Sequence, residues 1–165
     1  MNSASLRFPG AMIASIALAF VLLLMPLSDS LLLWRPEWVA LAFIYWCLTL
    51  PDKVSLFLAW FAGLFIDILF GSILGQHAFT MIIVVYMSLR LLPRISANTL
   101  WHQYALISLV LGTYLLINLW IMAATGNNPA TWRYWLPLLS SLIIWPIYTW
   151  VLSWFRVERG RFDEF

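Results

Sequence analysis

The chain has 165 residues, of which 64% are hydrophobic and 10% are charged, with a formal net charge of +2. Soluble domains contain about 45–50% apolar and about 25% charged residues, and so small a net charge does not suggest a polyanionic partner. The composition therefore excludes a soluble enzyme, a disordered tail protein and a nucleic-acid binder. It predicts a single integral membrane domain over residues 1–165.

Six apolar stretches follow one another, each closed by residues that favour turns, such as Gly, Pro, Ser and Asp. A hydrocarbon core about 30 Å thick requires about 20 helical residues, and an open sheet cannot cross it. The sequence therefore predicts an all-α polytopic bundle of about six transmembrane helices. The predicted segments are Ala11–Leu27, Trp38–Leu50, Val54–Phe70, Ala78–Leu92, Tyr104–Ala124 and Trp135–Phe155.

Two of these segments allow a second interpretation. The first follows Arg7 and precedes Ser28 and Ser30, an order that also suits a secretory signal peptide; five further apolar segments favour a retained anchor. The second segment is short. It either extends over Leu31–Leu33 or forms a re-entrant or tilted helix.

The basic residues predict the orientation, because Lys and Arg accumulate in cytoplasmic loops. With both termini in the cytoplasm, only Arg35 and Arg133 face outward. The other seven face inward: Arg7, Lys53, Arg90, Arg94, Arg156, Arg159 and Arg161.

Asp67 is an acidic residue inside the third apolar segment, where a charge costs about 2.5–3.5 kcal/mol on insertion scales. Four small residues and Asp67 recur every four positions, which predicts one stripe along a single helix. The positions are Ala59, Gly63, Asp67, Gly71 and Gly75. Small residues at this spacing let another helix approach closely. The stripe predicts either a groove that accepts a helix from another protein, with Asp67 as a polar pin, or packing within the bundle itself.

Four polar residues at a depth similar to that of Asp67 are candidate partners for its carboxylate. Arg35 is the cationic candidate that could reach inward past Pro36. The four candidates are Arg35, Gln76, His77 and Asn118.

The sequence offers no combination of residues typical of catalysis or of metal binding. His77 and His102 fall at opposite membrane faces, so they cannot share a metal. There is no nucleophile elbow, no zinc-protease helix and no glycine loop with lysine. We expect a protein that is not an enzyme and has no cofactor.

Four features follow one another along the chain: the run Trp34-Arg35-Pro36-Glu37-Trp38, the turn Leu50-Pro51, Gly63, and the run from Asp67 through Gly75. Their order and spacing resemble the rod shape-determining protein MreD family of bacteria. The resemblance covers about residues 10–155 and is closest from Leu33 to Leu92.

This resemblance implies a non-catalytic scaffold of the rod complex, or elongasome, in the bacterial inner membrane, with both termini cytoplasmic. It implies binding to MreC, a single-pass membrane protein, and association with MreB filaments, RodA and a penicillin-binding transpeptidase. The fold it implies is similar to the substrate-binding subunits of energy-coupling-factor transporters. The residues it singles out, as partner contacts or structural pivots, are Arg35, Pro36, Gly63, Asp67, Gly71 and Gly75.

A small-molecule or lipid-precursor binding or transport subunit is the alternative. Such a site needs several convergent polar groups in an apolar pocket. The polar groups that the sequence places between spans are mainly Asp67, Ser108, Thr113 and Asn118.

Overall fold

A computed structural model describes residues 8–91, 100–126 and 131–157, and these parts of the chain are helical with no strand. Short 3-10 turns at Pro51–Lys53 and Trp132–Trp135 precede two of the helices. The helices are α1 (Phe8–Leu24), α2 (Asp29–Leu32), α3 (Trp38–Thr49), α4 (Leu56–Phe70), α5 (Gln76–Leu91), α6 (Leu100–Ala124) and α7 (Leu136–Val157).

Helix α3 lies at the centre of the bundle. It packs against α1, α5 and α7, and every residue from Val39 to Cys47 is buried. The indole Nε1 of Trp46 donates a 2.7 Å hydrogen bond to Ser15 Oγ on α1. At 12 residues, α3 is about 18 Å long, which explains why its apolar segment is short: protein, rather than lipid, surrounds it.

Helices α4 and α5 form a tightly packed hairpin. The Ser55 hydroxyl caps the start of α4 by accepting from Leu58 N at 3.1 Å, and α4 ends at Gly71, which has a left-handed φ of 61°. Between these ends, Gly63 lies directly against the start of α5. A Cβ at Gly63 would overlap the backbone of Ala78 and the carbonyl of His77.

The six predicted segments are confirmed as helices α1 and α3–α7. The structure adds α2 and separates it from α3, because Pro36 and its neighbours interrupt the helix. The prediction that Gly71 and Gly75 continue the α4 stripe is wrong, since α4 stops at Phe70 and both glycines lie in the turn. Predicted features outside the described residues are Leu92, Arg7, Arg94, Arg159 and Arg161.

Two helical segments are long and apolar enough to cross a membrane by themselves, Trp101–Ala124 and Trp132–Ser153. Four shorter apolar helices accompany them: Gly10–Leu24, Trp38–Thr49, Leu56–Phe70 and Gln76–Leu91. This arrangement is compatible with a helical membrane bundle.

The contact between Gly63 and α5 predicts that Gly63→Ala destabilises the protein. Overpacking costs about 1–3 kcal/mol, and the atoms that the new methyl group meets belong to backbone, which cannot rotate away. The matched control is Gly112→Ala on α6, where a Cβ meets nothing within 4 Å and helix propensity favours alanine. Thermal unfolding in detergent should show a lower Tm for Gly63→Ala and an unchanged or higher Tm for Gly112→Ala. Equal Tm values for the two variants would contradict the packing.

Candidate functional site

Asp67 lies in the last turn of α4 and is 1% exposed. Its carboxylate accepts hydrogen bonds from Ser72 Oγ at 2.7 Å, from Gly75 N at 2.8 Å and from His77 N at 3.0 Å. A longer contact of 3.4 Å joins it to Ala78 N. His77 Nδ1 lies 2.8 Å from the same carboxylate. All of these groups belong to the α4–α5 turn or to the first turn of α5.

The carboxylate of Asp67 therefore caps helix α5 from the preceding helix. The first amide groups of an α-helix have no partner within the helix, and the positive end of the helix dipole favours a negative charge there. A capping side chain normally stands at the helix start itself, whereas here it comes from residue 67. This cap fixes the end of α4 to the beginning of α5.

A second polar layer joins α5 to α6. Gln76 Nε2 donates to Asn118 Oδ1 at 3.0 Å, and Asn118 Nδ2 donates to the Tyr114 carbonyl at 3.0 Å. Thr80 Oγ1 lies 3.4 Å from Asn118 Nδ2. Gln76, Asn118 and Thr80 are buried, so the layer specifies how α6 packs on the hairpin.

Glu37 precedes α3 at this same end of the bundle. Its backbone N–H donates to Ser141 Oγ on α7 at 3.0 Å, and its carboxylate interacts with the Tyr114 hydroxyl and, at longer range, with Arg35. Burial raises the pKa of Glu37 to about 7, although Arg35 and Tyr114 oppose this shift.

The side chain of Arg35 lies near an aromatic ring and has one buried nitrogen atom. Its guanidinium carbon lies 6.0 Å from the ring centroid of Phe70. Its Nε is buried without a hydrogen-bond partner among the described residues. Pro36, which follows it, is buried.

These elements line an open cavity of about 710 Å³ at the end of the bundle, between the α2–α3 loop, the α4–α5 turn and the described residues of the α6–α7 connection. Its wall is mainly apolar, with polar groups contributed by all three connections, by the first turn of α5 and by α6. The polar lining consists of Glu37, Ser72, Gln76, His77, Tyr114, Asn118, Thr125, Thr131, Arg133 and Tyr134.

Several predicted site residues have roles that differ from those expected from the sequence. His77, not Arg35, is the ionisable partner of Asp67 among the described residues, and Gln76 pairs with Asn118 instead. Gly63 is covered by α5 of the same chain, so a helix from another protein cannot occupy that position.

The two remaining glycines, Gly71 and Gly75, supply the positive φ angles of the turn, 61° and 101°. Their placement follows from turn geometry, because L-residues with a side chain rarely adopt such angles. Of the four polar groups expected between spans, Asn118 lines the cavity, whereas Ser108 and Thr113 donate to carbonyls of their own helix.

Sequence reasoning missed Ser72, Glu37 and Tyr114. Ser72 could have been predicted from its position, because it directly follows a glycine that ends a helix. A hydroxyl at such a position can donate to a buried carboxylate in the last turn of that helix. Within the described part of the chain, no group of three His, Cys, Asp or Glu residues is placed to hold a metal ion.

The raised pKa of Glu37 predicts a pH-dependent stability. The folded chain holds a proton on Glu37 up to about pH 7, whereas the unfolded chain releases it near the ordinary value of 4.5. The folded state binds more protons between these values, so this group makes stability fall as pH rises through that window. Between about pH 5 and about pH 8, the Tm of the wild type should fall relative to that of Glu37→Gln.

The control for this experiment is Asp52→Asn, which changes an exposed acid in the turn after α3. Intrinsic tryptophan fluorescence in detergent provides the Tm. The Asp52 variant should retain the wild-type pH profile. A Glu37→Gln profile parallel to that of the wild type would contradict the assignment.

Comparison with known proteins shows two similarities. The family model described as rod shape-determining protein MreD matches residues 6–156. A Haemophilus influenzae protein, named rod shape-determining protein MreD, is 29% identical over 147 residues, which cover 87% of this chain and 87% of that protein. No solved structure matches the chain, so the likeness to substrate-binding subunits of energy-coupling-factor transporters stays a prediction.

Proposed function

The chain belongs to the MreD family of rod shape-determining membrane proteins, and on that premise we propose that it is a non-catalytic scaffold of the rod complex that binds MreC. The observation that carries the proposal is the match to the family over residues 6–156. The scaffold would help to organise lateral peptidoglycan synthesis, together with MreB filaments, RodA and a penicillin-binding transpeptidase.

The geometry of the polar groups supports a scaffold. The carboxylate of Asp67 and the amides of Gln76 and Asn118 bond to one another's helices and hold α4, α5 and α6 together. Buried polar networks of this kind make a packed core more rigid. A rigid bundle presents its outer faces in fixed positions, as a scaffold must.

The placement of the basic residues supports a multi-pass chain with cytoplasmic termini in the inner membrane. Arg133 lines the cavity at the Glu37 end of the bundle, whereas Lys53 and Arg90 lie at the C-terminal ends of α3 and α5. Since basic loops prefer the cytoplasm, we place the Lys53 and Arg90 end inside. That end would face MreB filaments.

The surface that we propose for MreC is the outward face of α4, defined as Phe57, Phe61, Phe65 and Ile68. These side chains are 48–66% exposed and recur at helical spacing on the face opposite Gly63 and Asp67. The rings of Phe57 and Phe61 meet edge to face at 4.7 Å. Because the hairpin fixes the other side of α4, this face is held in place for a single-pass helix, and van der Waals packing of side chains contributes to helix association in lipid.

Co-purification with MreC tests this surface. Replacing Phe57 and Phe61 together with alanine should reduce the MreC recovered in detergent about tenfold, because large aromatic contacts dominate interface energies. The matched control replaces Ile143 and Ile147 on α7, which are 66% and 61% exposed, with alanine. That variant should retain MreC. Loss of MreC from both variants, or from neither, would contradict the placement on α4.

A second candidate function is the binding of a small molecule or a lipid precursor. The observation that favours it is the cavity of about 710 Å³, which combines apolar walls with polar groups from five parts of the chain. Ligand sites commonly have volumes of about 300–1,000 Å³ and this mixed character.

A further inference from the structure

The Glu37 carboxylate lines the cavity without a close cation. Among the described residues, no lysine, arginine or histidine nitrogen lies within 4.0 Å of it, and the nearby His77 nitrogen contacts Asp67 instead. Arg35 acts on Glu37 only at longer range. Shielding a carboxylate from water without a paired cation is costly, and Glu37 avoids that cost by holding a proton up to about pH 7. A cationic group that enters the cavity would favour the ionised carboxylate instead.

Two tyrosines share the cavity with this carboxylate. Tyr114 and Tyr134 line it together with Glu37. The Tyr134 hydroxyl donates to the Leu115 carbonyl at 2.8 Å, which fixes its ring in place. Aromatic faces attract primary and quaternary ammonium groups alike, so the tyrosines favour a cationic ligand, and the choice between the two kinds of ammonium rests on the Glu37 carboxylate.

Arg133 supplies the opposite charge at the same cavity. It is exposed, it lines the cavity, and it has no carboxylate partner among the described residues. A guanidinium is well suited to bind phosphate oxygens through paired N–H donors. A ligand that spans Glu37 and Arg133 would therefore carry a cation and a phosphate.

The cavity also lies where lipid headgroups are expected. Exposed tryptophans, Trp34 at 48% and Trp132 at 71%, stand in the two loops that border it, and such residues occupy the headgroup level of membranes. Apolar side chains of Leu32, Leu33 and Ile73, each 39–51% exposed, line the cavity. A ligand with an apolar tail suits this wall.

We propose that the cavity binds the phosphoethanolamine headgroup of a membrane phospholipid, with its ammonium group at Glu37 and its phosphate at Arg133. The primary ammonium donates hydrogen bonds to the carboxylate, whereas the trimethylammonium of a choline lipid has no N–H to donate. A glycerol headgroup offers no cation to Glu37. This inference deepens the second candidate function and does not depend on the binding of MreC.

Native mass spectrometry of the full chain tests the proposal. The protein is reconstituted in nanodiscs that contain equal amounts of phosphatidylethanolamine, phosphatidylcholine and phosphatidylglycerol, and the lipids that remain bound on release are counted. The wild type should retain phosphatidylethanolamine about tenfold over phosphatidylcholine, as charged hydrogen bonds of this kind allow. The comparison between lipids needs no variant, so it holds even if a substituted chain fails to fold.

Three variants assign the contacts. Glu37→Gln should abolish the preference for the ethanolamine lipid over the choline lipid, because it removes the charge that only a donating ammonium satisfies. Arg133→Gln should weaken both lipids, since both carry the phosphate. Asp52→Asn, at an exposed acid outside the cavity, should behave as the wild type.

Equal retention of the ethanolamine and choline lipids by the wild type would overturn the proposal. So would a Glu37→Gln variant that keeps the preference. Displacement of the lipid by soluble glycerophosphoethanolamine would overturn the assignment to a membrane lipid and point to a soluble ligand with the same headgroup chemistry. MreC is absent from every arm, so failure here is distinct from failure of the scaffold role.

Discussion

The buried carboxylate of Asp67 determines how the α4–α5 hairpin is built. A charge inside an apolar helix must be satisfied by groups from the chain itself, because lipid provides no donors. Asp67 meets this requirement with backbone amides of Gly75 and His77 and with the side chains of Ser72 and His77. The two backbone amides are also groups that the start of α5 would otherwise leave unpaired. One interaction thus satisfies a buried charge and a helix end together.

The glycines around Asp67 serve the same hairpin. Gly63 allows the backbone of α5 to approach α4 closely enough for the cap to form, and Gly71 and Gly75 adopt the positive φ angles that bring the chain back. Since the small side of α4 is thereby used internally, the proposed partner helix would meet its opposite, aromatic side. The α4–α5 turn, with its polar groups, forms one wall of the cavity that Glu37 and Tyr114 also line.

Apolar runs closed by turn residues predicted the helices well, because burial and backbone hydrogen bonding in lipid leave few alternatives. The role of Gly63, Asp67, Gly71 and Gly75 was harder to predict, since a four-residue spacing of small residues arises equally from a docking stripe and from a hairpin whose helix ends midway. The partners of Asp67 are mainly backbone amides, which have no signature in the sequence. The role of Glu37 could not be predicted, because an acid beside an arginine and a proline is typical of an exposed loop, and only the packing of α6 and α7 shields it in part from solvent.

Amide hydrogen exchange at the start of α5 tests the capping role of Asp67 most directly. In Asp67→Asn the side chain keeps its shape but loses its charge and one strong acceptor. We predict that peptides covering residues 72–80 exchange about tenfold faster in this variant, while those of α3 keep their wild-type protection. Unchanged protection of residues 72–80 would contradict the account, because α5 would then hold its first turn without the carboxylate.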